Sequence, residues 1–188
     1  MVKEESLLHY SQFAAQTMTD PEILLYLRPG WSSLFPHILL HEQNLSFSTI
    51  GVIDRTVTED PSFARQNPKK KIPVLIIDGR PVTENPAIAN AIQILNPANG
   101  TMGQGTDEFI RVCEWLNWIS ASFHGQVWSP YLRPWRFTTD PGGEAAVKAR
   151  AYEKLCERFA MVESWLVVDQ WAAGEGFTAV DAYLLPYF

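Results

Sequence analysis

Pro73 constrains this chain more than any other residue. It stands in Lys69-Lys70-Lys71-Ile72-Pro73-Val74-Leu75-Ile76-Ile77, followed by Asp78-Gly79 and then Thr83-Glu84-Asn85-Pro86. Proline cannot donate to a sheet ladder, so Pro73 must begin a strand or sit at a sheet edge. It also pushes Ile72 into an extended conformation. The Ile72 N–H and C=O are then left free for a partner outside the sheet. Two structures accommodate this order: an ordinary hairpin with a proline at its edge, or a strand start that offers its backbone to an extended ligand.

The rest of the chain divides into two styles. Ile23-Leu24-Leu25-Tyr26-Leu27 reads as a buried strand, and Phe47 to Ile53 as a second. Between them Leu34, Phe35, Ile38 and Leu39 recur at helical spacing. Val74 to Ile77, a short strand at Pro81-Val82 and a helix from Pro86 to about Leu95 complete a β-α-β, β-β-α order. Beyond the turn-rich Asn96 to Gly100 the strands stop. Phe109, Val112, Leu116, Ile119 and Phe123 step by three or four, and so do Leu155, Phe159, Val162 and Leu166. Thr178 and Asp181 stand three apart before an apolar run, close to a capping box. The expected organisation is an N-terminal extension at 1–21, an α/β domain at 22–96, a linker at 97–103 and a helical domain at 104–188.

Composition excludes several functions. The net charge of −6 argues against a general nucleic-acid binder. No apolar run approaches the ~20 residues that span a bilayer, so no membrane partner is expected. Cys113 and Cys156 lie far apart in helical patterns, which fits a reducing cytoplasmic compartment rather than a disulfide scaffold. Any anionic ligand must meet local positive charge, and Lys69 to Lys71 is the densest patch.

With these elements in place, the chain resembles a cytosolic-type glutathione transferase, closest to the bacterial beta class. Arg28-Pro29-Gly30-Trp31-Ser32-Ser33-Leu34-Phe35-Pro36-His37-Ile38 is similar to that class's opening, Ser-Pro-Gly-x-Cys-Ser-Leu-x-Pro-His-Ile. Asn67-Pro68-Lys69-Lys70-Lys71-Ile72-Pro73-Val74-Leu75 is similar to Asn-Pro-x-Gly-x-Val-Pro-x-Leu. Glu114-Trp115-Leu116-Asn117-Trp118-Ile119, with His124 five residues on, and the Thr178 to Leu184 helix complete the match. The resemblance implies a thioredoxin-like N-terminal domain with a cis peptide bond before Pro73, and an all-α C-terminal domain. It implies glutathione as co-substrate, no metal, and a homodimer. The family continues past the capping-box helix, so it also implies that this chain stops early, at Pro186-Tyr187-Phe188.

The chemistry expected of such a site is thiolate activation. A free thiol of this type has a pKa near 8.5, and a helix N-terminus stabilises its anion through free N–H groups and the positive dipole end. Ser32 and Ser33 sit at the expected start of the first helix, where a hydroxyl adds one hydrogen bond to sulfur. Ser32 takes the position of the class's cysteine, so no mixed disulfide can form there; Ser33 stands next in line. Plain N-capping is the alternative use of such serines.

The remaining roles follow from the resemblance. The Ile72 backbone, ahead of Pro73, pairs with the cysteinyl part of glutathione, and Glu84 takes the γ-glutamyl ammonium. Asn85 meets the γ-glutamyl carboxylate, and Lys71 the glycyl carboxylate. The beta-class lysine after the second strand falls near Val57 and is lost, with Arg55 a substitute. Asn117 and His124, seven apart, share a helical face and look onto the peptide, His124 orienting the thiol. Trp31, Trp118, Phe123, Trp128 and Tyr131 form the second-substrate pocket for a bulky apolar electrophile. His37 is structural. Conjugation, glutathione-dependent cis/trans isomerisation by reversible thiolate addition, and a non-catalytic glutathione-binding scaffold all remain compatible with these residues.

Overall fold

Ile23–Leu27 forms strand β1, apolar at every position because both faces of its sheet are covered. The computed structural model describes residues 20–166 and 171–188; the expected N-terminal extension lies almost wholly outside them. Strand β2 (Ser48–Gly51) pairs parallel with β1, while β3 (Val74–Ile77) pairs antiparallel with β1 and with β4 (Arg80–Thr83). The sheet order is β2-β1-β3-β4, the thioredoxin-like arrangement. The Asp78-Gly79 turn has φ of 48° and 73° at its two residues, the left-handed geometry that a tight two-residue hairpin requires. Pro81 lies in the edge strand β4, where its missing N–H costs nothing.

Alternation along β1 sends its residues to two cores. Leu24 and Tyr26 meet Phe63, Val74 and Ile76 on one face; Phe63 comes from α3 (Pro61–Gln66), which follows the short helix α2 (Arg55–Glu59). Ile23 and Leu25 face the main core, with Phe35 and Leu39 of α1 (Leu34–Glu42) and Ile88 and Ile92 of α4 (Asn85–Leu95). His37, on α1, packs edge-on against Phe47, and its Nε2 lies 3.3 Å from that of His41.

The same core continues into the helical part. Helix α5 (Gly105–Trp118) runs without a break into a π-helix, Ile119–Trp128, and then α6 (Ser129–Leu132). The long α7 (Glu144–Trp165) packs beside it, and α8 (Ala179–Leu184) closes the core. Phe35 of α1 stacks on Tyr183 of α8 at 4.3 Å, so the sheet layer and the helices share one interior. Thr178 caps α8 as expected: its N–H donates to Asp181 Oδ2 at 2.9 Å, and its hydroxyl accepts from the Val180 N–H.

Two periodicity readings need correction. Phe109 is exposed; the buried face of α5 is carried by Val112, Trp115 and Leu116. The seven-residue step from Asn117 to His124 does not keep one face, because most of it lies in the π-helix. There the Ser129 N–H reaches back five residues, to the His124 carbonyl. Each turn holds more residues than an α-turn, and the phase drifts. Among the described residues, no helix is long and apolar enough to cross a membrane.

Candidate active site

The loop before β3 is shaped by Asn67, whose side chain is buried. Its Nδ2 donates to the Lys71 carbonyl at 2.6 Å, and its Oδ1 accepts from the Lys69 N–H. This turn delivers Ile72 to the sheet edge, and the Ile72–Pro73 bond is cis, as the resemblance implies. The Ile72 N–H and C=O make no hydrogen bond among the described residues.

Glu84 follows β4 with φ 71° and ψ 123°, a strained conformation for a residue with a side chain. Its carboxylate is exposed and lies 2.5 Å from Lys69 Nζ, which also reaches the Thr83 hydroxyl at 2.7 Å. An ion pair so open to water contributes little and exchanges readily. Asn85, buried at the start of α4, donates from Nδ2 to the Ser32 carbonyl at 3.3 Å.

The two serines at the start of α1 differ. Ser33 is buried, and its hydroxyl donates to the Arg28 carbonyl while accepting from the Arg28 N–H, both at 2.8 Å. Its proton closes the 28–33 loop. Ser33 therefore neither caps the helix with its side chain nor points a free donor at a ligand. Ser32 is half-buried and lines a cleft of about 170 Å³ between the loop before α1 and the π-helix.

Gly30, Trp31 and Ser32 form one wall of this cleft. His124 and Trp128 of the π-helix face them, with Leu132 at the end of α6, Arg133 just after it, and Pro186 and Tyr187 after α8. His124 Nδ1 lies 3.1 Å from the Tyr187 hydroxyl. Burial, reinforced by the charges of Arg133 and Lys71, lowers the His124 pKa to about 4. Its imidazole is neutral at physiological pH, able to hold or pass a proton rather than carry a charge. Burial also raises the Tyr187 phenol, which stays protonated.

Several expected members lie elsewhere. Asn117 is exposed and spends its Nδ2 on the Cys113 carbonyl one turn back, at 2.8 Å. Trp118 packs against Trp115 and Trp165, and Phe123 is fully buried among Trp118, Phe159 and Tyr187. Tyr131 turns toward Tyr152 and Lys148. These three aromatics fill the interior or the far side of the helices, as aromatics with helical periodicity commonly do. Of the five expected pocket aromatics, Trp31 and Trp128 line the cleft.

Arg28, Arg133 and Tyr187 were missed from the sequence. Both guanidinium groups lie over the Trp31 ring, at 4.5 Å for Arg28 and 4.1 Å for Arg133. Arg133 stands between Leu132 and Pro134 in the aromatic-rich loop, and a cation in such a setting was the available signal.

Known proteins share this architecture. A family profile described as glutathione S-transferase, N-terminal domain, matches residues 21–93. Glutathione S-transferase GST-4.5 of Xanthomonas campestris pv. campestris is 32% identical over 165 residues, covering 85% of this chain and 78% of the relative. A sphingomonad glutathione S-transferase, solved in complex with glutathione, superposes with a TM-score of 0.73 at 30% identity, covering 87% of this chain and 79% of that one. A bacterial beta class glutathione S-transferase from Sphingomonas chungbukensis superposes at 0.74 with 27% identity over the same shares. The relatives' names carry the enzyme class expected from the motifs, and the similarity runs through both the sheet and the helices: the chain belongs to the glutathione S-transferase family.

Proposed function

We propose that this enzyme binds glutathione along the Ile72 backbone and activates its thiol at Ser32 for attack on an aromatic electrophile held in the cleft. The carrying observation is the hydrogen bond from Asn85 Nδ2 to the Ser32 carbonyl. It holds the Glu84-Asn85 turn, suited to an amino-acid head group, beside the hydroxyl suited to a sulfur anion. The open Ile72 edge belongs to the same segment of chain, so one extended tripeptide can span all three. Glu84 exchanges its exposed Lys69 partner for the γ-glutamyl ammonium, and Asn85 and the start of α4 receive the γ-glutamyl carboxylate. Lys71 is left for the glycyl carboxylate.

The thiol proton passes to solvent water as the Ser32 hydroxyl donates to the forming sulfur anion, aided by the N-terminal N–H groups of α1. Neutral His124, held by Tyr187, lies across the cleft from the serine and orients the reacting groups. A pocket of this size takes a small planar ring beside the sulfur rather than the bulky acceptor that five aromatics suggest. Calorimetric titration of glutathione into the wild-type chain and into Glu84→Ala tests the reading. Binding in the first and clear weakening in the second are expected; equal affinity in two folded proteins overturns it. Mass spectrometry of the products separates a glutathione adduct from an isomerised substrate.

A further inference from the structure

On the acceptor side of the cleft, Arg133 carries a positive charge that no ion pair balances among the described residues. Arg133 is buried, yet among the described residues no carboxylate lies within ion-pair distance of its guanidinium. Its charged neighbours are Arg28 and Arg136, and burial together with these like charges pulls its pKa down. A buried cation without a counter-ion is costly, and a half-buried Arg28 and an exposed Arg136 nearby add to the cost. Composition does not force the arrangement, since the chain holds 21 acidic residues against 15 Lys and Arg. The guanidinium carbon lies 4.1 Å from the centre of the Trp31 ring, which is itself partly open to solvent and lines the cleft beside Ser32. Trp128 and Leu132 supply apolar surface to the same cleft.

These features fit one kind of ligand. A guanidinium binds a planar carboxylate through two parallel hydrogen bonds, and Trp128 and Leu132 line the same cleft with apolar surface for a ring. We propose that the second substrate is an aromatic electrophile bearing a carboxylate, with Arg133 as its anchor and Arg28 as an auxiliary cation. The inference rests on the transferase reading above and names the substrate class of that site. The acid group neutralises Arg133, while the ring lies against Trp128 within reach of the sulfur beside Ser32.

The test separates the two readings. 3-Nitrobenzoate and 3-nitrobenzamide, nearly identical in shape, are titrated calorimetrically into the full chain, alone and saturated with S-methylglutathione. The carboxylate should bind about 10-fold more tightly than the amide, the scale of one charge-assisted interaction, and should keep that preference with the peptide bound. Arg133→Met should abolish the preference, and Arg133→Lys should restore part of it. Equal affinity for acid and amide, no binding of either, or a preference that survives Arg133→Met in a folded protein overturns the proposal. A preference that vanishes under S-methylglutathione assigns the guanidinium to a carboxylate of the peptide and also overturns it. If the acid binds selectively but glutathione does not bind, the transferase reading fails and the acceptor role falls with it, leaving an aryl-anion site.

Discussion

The Nδ1 of His124 lies 3.1 Å from the hydroxyl of Tyr187, tying the π-helix to the last described turn of the chain. Burial keeps this imidazole neutral, and the charges of Arg133 and Lys71 further oppose its protonation. The folded pKa, about 4, lies below the ordinary 6.5. The unfolded chain therefore binds the proton first as pH falls. Stability from this group is complete above 6.5 and is lost progressively down to about 4, by about 3 kcal/mol in all. Urea unfolding of the wild type and His124→Gln across that window should show a shallower pH slope in the variant. Parallel slopes would place the acid sensitivity elsewhere.

Ser33 and Ser32, adjacent in sequence, should separate in experiment. Ser33→Ala removes a donor and an acceptor from the Arg28 backbone in a buried loop. It should destabilise the fold by about 1–3 kcal/mol. Ser32→Ala should change stability little. It should instead raise the thiol pKa of bound glutathione by about 1–2 units, the equivalent of one hydrogen bond to an anion. Ultraviolet titration of the thiolate reads this directly. A shift in Ser33→Ala and none in Ser32→Ala would reverse the assignment.

The sheet, α4 and the capping-box helix were legible because each rests on local rules. Apolar runs bounded by turns, Asp78-Gly79, Pro81 on an edge and Thr178 with Asp181 act over a few residues. The cleft was legible only in part. Ser32, Ile72 and Glu84 sit in motifs with their own turn chemistry. The face of the helix after Trp118 depends on the π-geometry, which no residue between Ile119 and Trp128 announces. That geometry turns Phe123 into the core, whereas Trp118, at the end of α5, packs half-buried against Trp115 and Trp165. Tyr187 meets His124 only through long-range packing.

Assembly is a separate expectation. Ile94, near the end of α4, is 74% exposed, and Phe109 and Ile110 on α5 are 41% and 58% exposed. Family membership, with these apolar side chains on neighbouring helices, leads us to expect a two-fold homodimer. Light scattering at micromolar concentration should give twice the mass of the chain, 21.3 kDa. Ile110→Lys should shift the population toward monomer. A wild-type monomer would reject the expectation.

Glu84 joins strain to charge, and two substitutions should separate them. At φ 71° and ψ 123° any side chain is disfavoured, and glycine relieves the conflict. Glu84→Ala and Glu84→Gly both remove the carboxylate, so each should weaken glutathione binding by about 1.5–3 kcal/mol. Only the glycine relaxes the backbone, and it should be more stable than the alanine variant by about 1–2 kcal/mol after its own entropy cost. Losing the Lys69 pair should matter little to stability, because both partners are open to water. Lys69→Met should leave Glu84 without a competitor and strengthen glutathione binding slightly. Chemical denaturation and calorimetry on the three variants read all these effects. A glycine variant less stable than the alanine would show that Glu84 is not under strain, and a marked loss of affinity in Lys69→Met would make the lysine a ligand rather than a placeholder.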